Sequence, residues 1–236
     1  IINEELTVDD SLFLYHDVCT NGIGYVDLMF KTDSIAPEQI PYLGLLKSVL
    51  GYVDTENYTY GELFNEINAN TGGINCGVEV FDRADSTEEF QAMFSVRGKA
   101  LYTKMDFLFK MIGEILNSSK LEDTKRLYEI VASVKSRAQV NLTGAGHSTA
   151  VLRAAAYSSP MAAFQDEMAG IGYYQFIEKL EKDFEQRKEE TVEELCKLMK
   201  KILRPENFMI SYTGERESLE TVQKLAGAVK AGLGTE

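Results

Sequence analysis

One stretch of the chain constrains all the others. From Ile40 to Gly73 the sequence reads IPYLGLLKSVLGYVDTENYTYGELFNEINANTGG, two consecutive helical patterns closed by a double glycine. In the first, Leu43, Leu46, Leu50 and Val53 form one stripe and Tyr42, Leu45, Val49 and Tyr52 the next, leaving only Lys47 and Ser48 clearly polar through the middle. A helix apolar around so much of its circumference is predicted to be buried. In the second, Thr59 stands three residues ahead of Glu62, the spacing of a capping box. Leu63, Phe64 and Ile67 share its inner face, and Gly72 and Gly73 are positioned to supply a left-handed cap.

The rest of the chain reads as sheet and helix arranged around this pair. Leu12 to Cys19 and Ile23 to Phe30 are β-prone runs separated by Thr20-Asn21-Gly22, and Asn-Gly between such runs predicts a hairpin. Ile74, Cys76, Val78 and Val80 alternate with polar or small residues, as do Phe90, Ala92, Phe94 and Val96, so a second hairpin is expected with its turn between Asp82 and Thr87. One apolar face per strand implies an antiparallel sheet covered on one side by helices.

From Leu101 a helical period takes over for about a hundred residues. Met105, Leu108, Ile112 and Ile115 form one stripe and Leu127, Val131 and Val134 another, with Asn117-Ser118-Ser119 between them. Gly144 to Gly146 breaks the run. Further helical segments are predicted at Thr149 to Tyr157, Met161 to Met168, Tyr173 to Phe184 and Val192 to Leu203, punctuated by Pro160, Gly170, Gly172 and a charged stretch near Lys188. Phe208, Ile210 and Tyr212 then alternate as a returning strand, and Leu219 to Val229 closes the chain as an amphipathic helix. The fold class is α+β, and with no linker or low-complexity run in its 236 residues the chain is expected to form a single domain, 1–236.

Charge narrows the partners. With 24 basic against 37 acidic residues the net charge is −13, which disfavours nucleic acid and anionic membrane surfaces and tolerates cationic peptides. The acidic surplus has two readings, a solvated exterior or a negative wall facing such peptides. Cys19, Cys76 and Cys196 are scattered and odd in number, so no disulfide framework is expected and a reducing cytoplasm fits. No apolar run is long enough to cross a bilayer. Ile1 stands where a start methionine is expected, so the chain is read as a piece of a longer protein.

The run PYLGLLKSVLGYVDTENYTYGELFNEINANTGG resembles the opening helices of the C-terminal half of the presequence proteases, a branch of the insulinase (pitrilysin) superfamily of zinc metallopeptidases. TGAGHSTAVLRAAAYSSP, GIGYYQF and NFMISYTG resemble the same half-molecule, so the likeness covers most of the chain. It implies the insulinase/pitrilysin, LuxS/MPP-like fold, a mostly antiparallel sheet with helices packed on one face. It also implies a function: the third, non-catalytic domain of a zinc metalloendopeptidase that degrades unfolded peptides inside a closed chamber, to which this domain supplies wall and closure contacts. The N-terminal catalytic half of the same protein would be its partner, and peptides its substrates. The alternative is a catalytically inactive insulinase-like scaffold or peptide-binding protein.

The residues themselves offer little chemistry. The superfamily places His-x-x-Glu-His on the first helix of its N-terminal domain, where two histidines one turn apart hold Zn²⁺ and the glutamate activates water. The corresponding slot here is Tyr42-Leu43-Gly44-Leu45-Leu46, without one ligand side chain. No metal or other cofactor is therefore expected in this chain, and the zinc is expected in the N-terminal half of the parent. His147, in Gly144-Ala145-Gly146-His147-Ser148, either presents its imidazole to substrate or sits beside a helix capped by Ser148. His16, Asp17 and Cys19 suggest a Cys/His nucleophile, but His16 and Cys19 point to opposite faces of a strand. Arg153 and Tyr157 stand four apart on one helix, yet lie outside the glycine-containing Arg-to-Tyr segment with which the family assists its zinc, and no such role is carried over. Thr71-Gly72-Gly73 and Ile171-Gly172 lack the phosphate-loop pattern and read as turns and caps. Met93, Met105, Met111 and Met199 read as core.

Overall fold

The computed structural model of the protein describes residues 2–83 and 85–234. The chain begins with three strands, β1 (Ile2–Val8), β2 (Ser11–Asp17) and β3 (Ile23–Lys31), followed by α1 (Ile40–Val49) and α2 (Tyr60–Asn70). β4 (Ile74–Arg83) and β5 (Ser86–Leu101) come next. The helical layer is α3 (Met105–Ser118), α4 (Thr124–Gly144), α5 (Gly146–Ala155), α6 (Pro160–Ala169), α7 (Ile171–Lys182) and α8 (Phe184–Ile202). β6 (Phe208–Gly214) and α9 (Leu219–Ala231) close the chain. The six strands form one sheet in the order β1-β2-β6-β3-β5-β4. Its pairs are antiparallel except β2 with β6, which run parallel.

The Asn21-Gly22 turn does reverse the chain, with φ of 54° and 81°, but the strands it joins do not pair. β6 lies between them, with Tyr15 opposite Tyr212 on one side and Val26 opposite Tyr212 on the other. The reason is side-chain burial across the sheet. Phe208, Ile210 and Tyr212 complete apolar rows such as Phe13–Ile210–Leu28, and every member of that row is fully buried. The Tyr15 and Tyr212 rings stack at 6.1 Å. Residues 18–22 need only bridge two strand spacings, about 10 Å, which five residues reach easily. Glu215 ties the turn to the end of β6: its carboxylate accepts from the Gly22 amide (3.2 Å) and the Tyr102 hydroxyl (2.7 Å).

The hairpin at this end of the sheet is instead β1–β2, a pair the sequence pattern missed. Asp9 and Asp10 form its turn with φ of 48° and 64°, the left-handed pair that a two-residue hairpin requires and that Asp tolerates. The second expected hairpin is present as β4–β5 in antiparallel register; its turn includes Ala84, which lies outside the described residues.

The organising helices form where the sequence put them, with adjustments. Thr59 caps α2, its hydroxyl accepting from the Glu62 amide while the Glu62 carboxylate accepts from the Thr59 amide. Leu63 and Ile67 are buried, but Phe64 is 58% exposed. No left-handed glycine caps α2: the C-cap is Thr71 in an extended conformation, and the Gly72 amide donates instead to the Lys99 carbonyl at 2.7 Å, starting β4 alongside β5. The first helix ends at Val49, and Gly51 turns the chain with φ of 87°.

Two other boundaries differ. Leu101 ends β5 rather than opening a helix. The charged stretch near Lys188 lies inside α8, which starts at Phe184 and buries Phe184, Thr191, Leu195, Leu198 and Ile202 on one stripe. Its charges face water and pair within the helix, Lys188 with Glu185 at 3.0 Å and Arg187 with Glu190 at 3.2 Å.

The helices pack on one face of the sheet, and α1 lies deepest, against α6, α7 and α8. Leu43, Leu45 and Val49 are fully buried and Leu46 is 1% exposed. Leu46→Ala is therefore expected to lower stability by about 2–5 kcal/mol through lost burial and the cavity it leaves. Denaturant unfolding measures this, and a loss below about 1 kcal/mol would show that the helix is not core.

Candidate functional site

The zinc-helix slot is filled by packing. Tyr42, Leu43, Gly44, Leu45 and Leu46 are all buried. The Tyr42 ring meets Phe176 edge-on at 4.8 Å, and its hydroxyl accepts from Arg187 at 3.0 Å and donates to Glu190 at 3.4 Å. Gly44 permits the closest approach: a Cβ there would stand 2.7 Å from the Met168 carbonyl oxygen and 2.8 Å from the Tyr173 ring. Among the described residues no group of three or more His, Cys, Asp and Glu is arranged to hold a metal ion, and no helix is long and apolar enough to cross a membrane.

The other sequence candidates are scattered. His147 is exposed in the first turn of α5, and its ring has no hydrogen bond or ion pair to a described residue. Ser148 is not the cap, because α5 follows Ala145 without a side-chain capping bond and Ser148 lies inside the helix. Arg153 pairs with Asp166 at 2.5 Å, and that buried carboxylate also accepts from the Ile171 and Gly172 amides at 3.1 and 3.2 Å. Ile171-Gly172 is thus a helix start capped by α6, and Tyr157 is 85% exposed beside it. His16 lies on β2 with Nδ1 2.7 Å from Asn3 Oδ1 and Nε2 3.1 Å from Ser211 Oγ, while Cys19 is exposed beyond the strand end. Burial pushes the Cys76 thiol up to about 12 and raises that of Cys196. Neither is poised as a nucleophile.

What the fold assembles is a polar surface on the helix-free face of the sheet. Leu14, Ser211, Asp27, Arg97 and Asn75 stand opposite one another in register across five strands. Arg97 holds the row together, its Nε 2.7 Å from Asp27 Oδ2 and its Nη1 3.2 Å from Glu79. A cavity of about 330 Å³ opens here, lined by Tyr25, Asp27, Asn75, Arg97, Lys99 and Ser211. Lys99 lies 6.0 Å above the Tyr25 ring. Asp27 Oδ1 is buried without a partner, and burial raises the Asp27 carboxyl above its ordinary value while Arg97 opposes the shift. The surface presents donors and acceptors but no activated nucleophile, which suits holding a chain rather than cutting it. Sequence reasoning missed it because each polar residue occupies an outward position on a different strand; the one local signal was Asp27 amid Val26, Leu28 and Met29.

Comparison with known proteins assigns the fold and the family. Residues 1–180 match the family described as peptidase M16 subfamily C associated, and the chain belongs to that family. It is 34% identical over 224 residues to Protein HypA of Clostridium perfringens, covering 95% of this chain and 23% of that protein. It is 26% identical over 211 residues to presequence protease 1, chloroplastic/mitochondrial, of Arabidopsis thaliana, covering 89% of this chain and 19% of the relative. The chain thus spans about a quarter or less of the length of these curated relatives. In fold it is similar to the crystal structure of a peptidase M16 inactive domain from Pseudomonas fluorescens, with a TM-score of 0.64 and 15% identity over 99% of this chain and 51% of that one. A conserved protein of Enterococcus faecalis aligns at a TM-score of 0.66 and 13% identity, over 96% of this chain and 52% of that one. The presequence-protease resemblance and the expected insulinase-type α+β fold both stand: this is a non-catalytic domain of an M16-type peptidase.

The Asp27–Arg97 pair has a testable pH signature. A carboxyl whose folded pKa is raised favours the fold below the ordinary carboxylate pKa, and that advantage is lost as pH rises through the folded value. Arg97→Gln removes the group opposing the rise, so its cost falls on the charged form. Because Arg97 is half exposed, denaturant unfolding at pH 7 is expected to show a loss of about 1–2 kcal/mol that shrinks as pH is lowered towards about 4. An equal loss at both pH values would mean the pair's charges do not contribute.

Proposed function

We propose that the chain is the wall-forming domain of a zinc metalloendopeptidase that degrades unfolded peptides in a closed chamber, with the zinc and its ligands in the N-terminal half of the parent protein. The observation that carries this reading is the contrast between the two sides of the molecule. The helix that would hold the metal is buried side chain by side chain, while the opposite face of the sheet is left uncovered, polar and pocketed. Such a face contributes contacts and closure without touching the scissile bond, and no residue here, His147 included, takes part in cleavage. A cytoplasmic setting belongs to the same proposal and rests on the three free cysteines.

Two measurements test it. The chain, purified without chelator and analysed for metal, is expected to hold no stoichiometric zinc; one tightly held zinc per chain would contradict the proposal. Mixed with the separately expressed N-terminal half, it is expected to form a complex and restore cleavage of a flexible basic peptide, with capture weakening as salt rises against the −13 net charge. A well-folded N-terminal half that neither binds nor is rescued would count against it. A complex that binds the peptide without zinc or cleavage would leave the scaffold reading.

A further inference from the structure

Along the helical layer the basic side chains are mostly tied to carboxylates, as in Lys135 with Glu181 (3.4 Å), Arg126 with Glu129 (2.8 Å) and Lys197 with Glu194 (3.0 Å). Lys47 on α1 and Arg137 on α4 are not. Neither makes an ion pair with a described carboxylate, in a chain where acids outnumber bases 37 to 24.

Both line the same cleft. A cavity of about 250 Å³ runs from Lys47, Ser48 and Arg137 towards Tyr173 and Asn141, and a second of about 390 Å³ runs from the same three residues towards Tyr52 and Phe64. No described Asp or Glu lines either one. Asp166, at the nearby α6–α7 junction, is engaged by Arg153 and by the Ile171 and Gly172 amides.

A second observation is independent of the charges. Tyr173 is only 6% exposed, lines the smaller cavity, and its hydroxyl has no hydrogen-bond partner among the described residues. The nearby Ser48 hydroxyl donates to the Gly44 carbonyl at 3.5 Å instead. The Tyr173 ring is seated by the missing side chain of Gly44, whose Cβ would stand 2.8 Å away. Burial raises the phenol's pKa, with Ser48 and Arg137 the groups that oppose the rise, so these three side chains converge. Burial likewise lowers the Lys47 ammonium with no carboxylate to offset it. A buried hydroxyl and a half-buried cation without partners are unfavourable arrangements, and an occupant of the cleft that accepts hydrogen bonds relieves both. An oxyanion does so: it takes the guanidinium fork, the ammonium and the hydroxyls together. The walls beside these groups, Val134, Leu142 and Met168, are apolar.

We propose that this cleft between α1, α4 and α7 binds an oxyanion borne on a small organic molecule, of which the C-terminal carboxylate of a short apolar peptide and a phosphate group are the two sources. The site lies on the helical side of the sheet and does not depend on the peptidase reading, so its test needs no N-terminal half.

Binding is measured by calorimetry and by the thermal unfolding midpoint. The probes are an apolar tripeptide as free acid, the same tripeptide as C-terminal amide, inorganic phosphate, and sodium chloride at matched ionic strength. The free acid is expected to bind and raise the midpoint, with the amide and chloride inert; a response to phosphate instead would support the same site with phosphate as source. Lys47→Met is expected to weaken binding about tenfold or more, as loss of a charged hydrogen bond does. Tyr173→Phe, which removes only an unpartnered hydroxyl and leaves the fold intact, is expected to weaken it by a smaller factor. No response to any oxyanion, or a response unchanged in Tyr173→Phe and Lys47→Met, overturns the proposal.

Discussion

Burial of α1 is the constraint on which the remaining packing depends. Its two apolar stripes leave no side that can face water along most of its length, so the sheet must cover one flank and α6, α7 and α8 the others. Close coverage requires a residue without a side chain where the helices cross, and Gly44 sits there, against the Met168 backbone and the Tyr173 ring. The two polar residues of the helix, Lys47 and Ser48, fall where coverage is incomplete, and both line the clefts that remain. In a zinc-binding domain of this superfamily the same slot would carry ligands facing a chamber; here it carries leucines and a tyrosine facing a core.

The sheet has two unlike faces because its strands alternate. Phe13, Tyr15, Leu28, Phe30, Phe94, Val96, Ile210 and Tyr212 form the floor of the helical layer. Their neighbours in each strand, among them His16, Asp27, Arg97 and Ser211, point the other way. Insertion of β6 between β2 and β3 makes both faces continuous: it joins the N-terminal hairpin to the long β3–β5–β4 ribbon and places Ser211 between His16 and Asp27. The capacity to serve as a wall therefore rests on a strand that arrives near the end of the chain, held by the Glu215–Tyr102 contact at the Asn21-Gly22 turn.

Local signals were legible wherever one element's own period decided its burial. The stripes of α1, α3 and α4, the Thr59–Glu62 box and the alternation of β6 all reappear as expected. The start of α8 was hidden because a single apolar residue, Phe184, anchors its first turn, although the opposite charges spaced three apart, Glu185 with Lys188 and Arg187 with Glu190, were a helical signal in their own right.

The sequence by itself determined which segments are helices and strands, which face of each is apolar, and that the zinc-ligand slot is empty of ligands, because each is a property of neighbouring residues. Only the tertiary structure decided which strands pair. Asn21-Gly22 was read as a hairpin turn, yet Tyr212, near the other end of the chain, makes the better neighbour for both Tyr15 and Val26. The same holds for both candidate sites: Asp27 meets Arg97, and Lys47 meets Arg137 and Tyr173, only when separate elements are stacked. Turn chemistry acts over a few residues, whereas burial of apolar rows is settled across the whole sheet, and where the two conflict the larger buried surface prevails.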